Sequence, residues 1–170
     1  VHEALEFLYD EILSKRLPFI DSIIEKYHEK WESNWHDRIA LVHKDKNIKF
    51  YYELGERCLA GYYRSYAPFK QSVIGTEVEF IFSLNNTNDY IFKGIVDRID
   101  HDGNGNYEIH DYKSGKRAMS LNQAKKDKQL ALYQIALEQN YNNIKSVRLI
   151  WHFLQHNIEV QSKRSIKELN

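Results

Sequence analysis

With 170 residues the chain can bury a hydrophobic core, and its 42% hydrophobic and 14% aromatic content excludes a disordered protein. Lysine and arginine number 24, as do aspartate and glutamate, so zero formal net charge excludes a uniformly basic surface but not a local basic groove. The single cysteine, Cys58, excludes an internal disulfide and agrees with a reducing, cytoplasmic compartment.

The sequence contains no signal peptide, no apolar run long enough to span a membrane, and no repeat or low-complexity linker. We therefore expect one domain over residues 1–170 with no membrane association. Because the first residue is Val1 rather than methionine, we also expect this domain to be a fragment of a longer chain.

Apolar residues at helical spacing predict three helices before Pro68. The first extends from His2 to Leu17, where Pro18 stops it. The second runs from about Asp21 to Trp35, and the third from about Ile48 to Tyr66. Most tyrosine and tryptophan side chains of these helices are expected in the core.

After Pro68 the pattern changes to the two-residue period of β-strands. The predicted strands and the turns between them are Glu77–Phe82, an asparagine-rich turn at 85–89, Tyr90–Asp100, a hairpin loop at 102–105, and Tyr107–Lys113.

Ser120 and Gln123 have the spacing of a capping box, which predicts a helix extending to about Asn140. Strands are predicted at Val147–Leu154 and Ile158–Gln161. This order of elements predicts an α+β fold with a central mixed sheet of four to five strands flanked by helices.

Two acids and one lysine come together on neighbouring strands. Asp111 and Lys113 lie two residues apart, so their side chains project from the same face. The hairpin makes the strand that carries Asp97 an antiparallel neighbour, and the two acids can share that face. Such acids repel unless a cation lies between them, and Mg²⁺ prefers oxygen ligands. The alternative is an ion pair between Asp111 and Lys113 on a solvated face.

Four sequence motifs follow one another in the chain. They are His2 in the first helix, Gly94-Ile-Val-Asp97-Arg-Ile-Asp100, Asp111-Tyr-Lys113-Ser-Gly-Lys116, and Gln129-Leu-Ala-Leu-Tyr133. In this order they resemble the RecB-type, AddB-like branch of the PD-(D/E)XK nuclease superfamily. Two departures are that valine replaces the proline before Asp97, and that the glycine expected before His2 is absent from the chain.

The resemblance implies a restriction-endonuclease-like fold that hydrolyses DNA phosphodiester bonds with Mg²⁺ or Mn²⁺. Lys113 would orient the attacking water or help to deprotonate it, and would offset charge at the phosphate. Gln129 and Tyr133 would brace the site or contact the DNA. No iron–sulfur cluster is expected, since Cys58 is the only cysteine. The metal ligands implied are His2, Asp97, Asp111 and the backbone carbonyl of Tyr112.

The family also has a glutamate on the upstream strand, for which Glu77 and Glu79 both qualify. Strand alternation puts the two on one face, and we favour Glu79 because it is nearer the centre of the sheet. Arg98 and Asp100 project from the opposite face to Asp97. They are expected to form a structural ion pair, or else Arg98 contacts phosphate.

Other motifs have simpler interpretations. Asp100 to Asp111 imitates a calcium-binding loop, but strands rather than helices flank it, so a hairpin is favoured. The basic residues between Lys113 and Lys128 form either a solvated helix face or a contact to the DNA backbone. Four histidines are expected at the surface or at a sheet edge, namely His101, His110, His152 and His156.

The resemblance further implies an exonuclease that acts on single strands or DNA ends in repair or recombination. One alternative is a non-catalytic DNA-binding module on the same scaffold, which the intact set of Asp97, Asp111 and Lys113 disfavours. Another is a subunit of a helicase–nuclease complex that works only when a helicase feeds it a strand.

Overall fold

The computed structural model describes residues 1–41, 43–83 and 91–163. The helices in these residues are α1 (His2–Leu13), α2 (Ile20–Asn34), α3 (Ile48–Tyr66), α4 (Leu121–Ala124) and α5 (Lys128–Asn140). The strands are β1 (Val73–Ser83), β2 (Ile91–His101), β3 (Asn106–Lys113), β4 (Ser146–Phe153) and β5 (Ile158–Ser162). The asparagine-rich turn predicted at 85–89 lies outside the described residues.

The five strands form one mixed sheet in the order β1-β2-β3-β4-β5. Only the β3–β4 pair is parallel, and its connection passes through α4 and α5. The other neighbours are antiparallel. This arrangement confirms the predicted α+β class and the mixed sheet.

Each face of the sheet packs against helices. One face and α5 enclose a core that includes Val96, Ile99, Leu137 and Trp151. The opposite face packs against α1 and α3, and α2 packs on these two helices; their shared core takes in the Tyr112 ring from β3. Because both faces are covered, even the polar residues of the central strands become buried.

Two helix boundaries differ from the prediction. α1 ends at Leu13 rather than Leu17, and the chain turns at Lys15, which has a φ of 60°. The helix predicted from Ser120 to Asn140 is divided into α4 and α5. The capping box of Ser120 is present, but Asp127 starts a new helix by accepting a hydrogen bond from the backbone N–H of Leu130.

Strand alternation is interrupted beside the candidate site. In β1, Glu77 has a φ of 45° and lies between Thr76 and Val78, which pair with Arg98 and Val96 of β2. Val96 belongs to the core on the α5 side, whereas Arg98, two residues later, contacts Tyr62 on the α3 side. The regular alternation of β2 side chains between the two faces of the sheet is therefore interrupted at Asp97.

No helix within the described residues is long and apolar enough to cross a membrane.

Candidate active site

Asp97 lies where β2 separates from β3. The β2–β3 ladder ends at the pair Arg98 and His110, so Asp97 is one position beyond it. Its Oδ2 accepts a hydrogen bond of 2.6 Å from the backbone N–H of Tyr112. This bond fixes the carboxylate of Asp97 beside the backbone between Asp111 and Lys113.

Asp111 is a buried carboxylate paired with a lysine. The Nζ of Lys113 donates a hydrogen bond of 2.9 Å to Oδ1 of Asp111 and lies 2.7 Å from Oδ2. Burial raises the pKa of Asp111 to about 6; the ion pair with Lys113 opposes that rise, and the charge of Asp97 adds to it. An ion pair on a solvated face is therefore excluded, because the Asp111 side chain is only 6% exposed.

His2 approaches the same strand from α1. Its Nε2 lies 2.7 Å from the backbone carbonyl oxygen of Tyr112 and 4.0 Å from Oδ2 of Asp97. The packing of α1 against the sheet thus brings the start of the chain to the two acids. The structure groups His2, Asp97, Asp111 and Tyr112, the four residues that the motifs imply as metal ligands.

A chain of hydrogen bonds links Lys113 to α5. Its Nζ donates to Oε1 of Gln129 at 3.3 Å, and Nε2 of Gln129 donates to the hydroxyl of Tyr133 at 3.2 Å. The Tyr133 ring packs over Gly94, where an added Cβ would lie 2.6 Å from its Cε1. Gln129 therefore contacts Lys113 directly, and Tyr133 is linked to Lys113 through Gln129.

The preference for Glu79 on β1 is not supported by its position. Glu79 forms an ion pair with Lys93, whose Nζ lies 2.7 Å from Oε2. Glu77 is the neighbour of Asp97: burial and the charge of Asp97 raise the pKa of Glu77. Glu77 thus replaces Glu79 as the candidate from this strand.

These residues fit a divalent cation. The carboxylate of Asp111 is buried, with the ammonium of Lys113 at ion-pair distance and the charge of Asp97 acting against it. A cation bound between the two acids would offset their repulsion. Ligands at roughly 2.0–2.1 Å from an octahedral ion are about 3 to 4 Å apart, so His2 and Asp97 need little movement to share one.

A second polar cluster contains Asp100, Glu108 and His110, whose ligand atoms lie within 4.8 Å of one another. The guanidinium of Arg98 already occupies this cluster. Its Nε lies 2.9 Å from Oδ1 of Asp100, and its Nη2 is 2.8 Å from Nδ1 of His110. The expected ion pair between Arg98 and Asp100 is present and fully buried. The positive charge of the Arg98 guanidinium disfavours a metal cation in this cluster.

Two histidines expected at the surface are instead buried. His110 and His152 are 3% and 2% exposed, and their ring nitrogens approach to 2.9 Å. Burial and the neighbouring charges of His110 and Arg98 lower the pKa of His152 well below its usual range. The prediction was wrong because β3 and β4 are covered on both faces, which alternation within one strand does not reveal.

Comparison with known families gives one match. A sequence model described as the PD-(D/E)XK nuclease superfamily matches residues 1–169, which include all the residues grouped here. The five-stranded mixed sheet flanked by helices is consistent with the restriction-endonuclease-like fold that the motifs predicted. No curated protein sequence matches the chain significantly.

Proposed function

The chain belongs to the PD-(D/E)XK nuclease superfamily, and from that premise we propose that it is a metal-dependent deoxyribonuclease of the RecB-type branch. The observation that carries this proposal is the buried carboxylate of Asp111, which lies beside Lys113 and whose pKa the charge of Asp97 helps to raise. A bound cation would offset the repulsion between the two acids, and it can also activate water for phosphodiester hydrolysis.

Each residue of the group has a proposed role. His2, Asp97, Asp111 and the carbonyl of Tyr112 hold Mg²⁺ or Mn²⁺. When bound, such a cation lowers the pKa of water and stabilises negative charge on the phosphate. The ammonium of Lys113 orients the attacking water and offsets charge that develops in the transition state. Glu77 adds a carboxylate next to Asp97.

Gln129 and Tyr133 hold Lys113 in position through the observed hydrogen bonds. Because Lys113 is one-third exposed, its long side chain needs this support to keep one orientation. The proposed action is that of an exonuclease on single strands or DNA ends in repair or recombination, alone or with a helicase. This part rests on the motifs that resemble the RecB-type branch.

The test is cleavage of labelled DNA with Mg²⁺ or Mn²⁺ by the wild type and by Lys113→Ala. Loss of a preorganised positive group is expected to slow cleavage by about 100-fold or more. Lys93→Ala is the matched control, because Lys93 is an exposed lysine that pairs with Glu79. The control should cleave at nearly the wild-type rate.

Cleavage that persists unchanged in Lys113→Ala would contradict the assigned site. Tight DNA binding by the wild type without cleavage would instead favour a non-catalytic DNA-binding module on the same scaffold.

A further inference from the structure

A cleft of about 610 Å³ lies between α2, α3 and the loop that follows β3. We call it the aromatic cleft, because Tyr27, Trp31, Phe50 and Tyr51 line it. The volume is within the roughly 300–1,000 Å³ of pockets that bind small ligands. The cleft is therefore large enough for a group the size of a nucleotide.

The aromatic cleft adjoins the proposed catalytic residues. Val1 and Ser114 are among its lining residues, and they are the chain neighbours of His2 and Lys113. Adjacent Cα atoms are about 3.8 Å apart, so the lining of the cleft begins one residue away from His2 and from Lys113. A strand with one phosphate at Lys113 would have a neighbouring nucleotide at this opening.

The charges of the cleft suit a polyanion with aromatic groups. Lys46 and Lys116 line it, and the Nζ of Lys46 lies 3.5 Å from the centroid of the Phe50 ring. Asp45 is the acidic residue that lines it. Ammonium groups next to partly exposed aromatic side chains can bind phosphate and base together, as in proteins that bind single strands.

We propose that the aromatic cleft binds an unpaired base of the DNA strand next to the scissile phosphate. The inference rests on the proposed function, and it narrows the substrate to DNA that is single-stranded at the site. A base within a duplex is stacked and paired, so its faces cannot contact Tyr51 or Trp31.

The experiment measures binding of short oligothymidylate, and of an abasic strand of equal length, to protein kept free of metal with a chelator. Wild type is expected to bind the thymidylate at least about fivefold more tightly, since stacking on one aromatic side chain contributes about that much or more. Tyr51→Ala should lose this preference, and Tyr51→Phe should keep it because the ring remains. Phe19→Ala is the control, since Phe19 is an 80% exposed aromatic that does not line the cleft.

Equal affinity of the wild type for both strands, or an undiminished preference in Tyr51→Ala, would overturn the inference. If the wild type cleaves DNA with Mg²⁺ but shows no base preference, the cleft assignment fails while the nuclease proposal stands. A base preference that Tyr51→Ala removes, in a protein that never cleaves, would support the cleft and contradict the catalytic proposal.

Discussion

Asp111 lies in a buried environment that disfavours the negative charge of its carboxylate. Burial raises its pKa from the usual 3.8 to about 6, because the anion loses solvation that Lys113 only partly replaces. A shift of that size corresponds to roughly 3 kcal/mol against the ionised form. The folded protein therefore keeps a costly carboxylate at the point where the proposed cation binds.

Because the ionised carboxylate of Asp111 is unfavourable in the folded protein, Asp111→Asn is predicted to stabilise the metal-free protein. At about pH 7.5 the free energy of unfolding should rise by about 1–2 kcal/mol, less than the full cost because Lys113 loses its partner. The gain should fade near pH 4. The folded state keeps the Asp111 proton up to about pH 6, but the unfolded chain releases it near 3.8, so wild-type stability falls as pH rises between those values.

Urea unfolding at the two pH values measures the effect of Asp111→Asn. Glu79→Gln serves as the control, since Glu79 is half-exposed and its ion pair with Lys93 contributes little at either pH. A variant that is less stable than the wild type at about pH 7.5 would show that Asp111 is not strained.

At the residue scale, the motifs predicted which side chains the structure groups together, from His2 to Tyr133. Strand pairing brought together only Asp97, Asp111 and Lys113, and the resemblance to the nuclease family implied the other members. Alternation could not decide between Glu77 and Glu79, because it puts both on one face; the choice depends on which of them lies beside Asp97. The burial of His110 and His152 depends on which elements cover the strands, and a single sequence does not state that.

The contact between α5 and β2 is the element-scale feature that holds the site together. Gly94 on β2 has no side chain, and the Tyr133 ring of α5 occupies the space that a Cβ would take. This close approach lets the hydroxyl of Tyr133 accept the hydrogen bond from Gln129, which in turn contacts Lys113.

Gly94→Ala is predicted to displace the Tyr133 ring, because the new Cβ would lie 2.6 Å from Cε1 and 3.3 Å from Cδ1. The shift breaks the bond to Gln129, and the cleavage rate should fall by about 10- to 100-fold. Gly61→Ala is the control, since its nearest neighbour is 3.7 Å away. Wild-type kcat in Gly94→Ala would show that Tyr133 does not act through Lys113.

The sequence predicted element types better than element ends. The bounds of α3 are as predicted, because an asparagine cap and Pro68 mark both ends. The division between α4 and α5 was missed, because the capping box at Ser120 predicted the start of a helix and the second cap at Asp127, which restarts the helix, was not considered. The positive φ of Glu77 was also missed, because period-two alternation assumes an extended backbone throughout the strand.

At the scale of the whole molecule, Arg98 joins elements that are distant in the chain. It is fully buried, and its Nη1 donates hydrogen bonds of 2.8 Å to the hydroxyls of Tyr62 on α3 and Tyr112 on β3. The guanidinium also lies 4.2 Å from the Tyr9 ring of α1. The backbone of Tyr112 contacts His2 and Asp97. The buried network around the Tyr112 side chain therefore helps to hold the backbone of the candidate site in place.

Arg98→Met is predicted to lower the free energy of unfolding by about 3–5 kcal/mol, because the buried charge of Asp100 loses its guanidinium partner and keeps only the contact with His110. The double variant Arg98→Met/Asp100→Asn should recover part of that loss, since neither residue then carries a charge. Arg148→Met, which removes the half-exposed pair with Glu108, should cost less than about 1 kcal/mol. Chemical denaturation measures all three, and strict additivity of the Arg98 and Asp100 effects would mean that the two side chains do not interact.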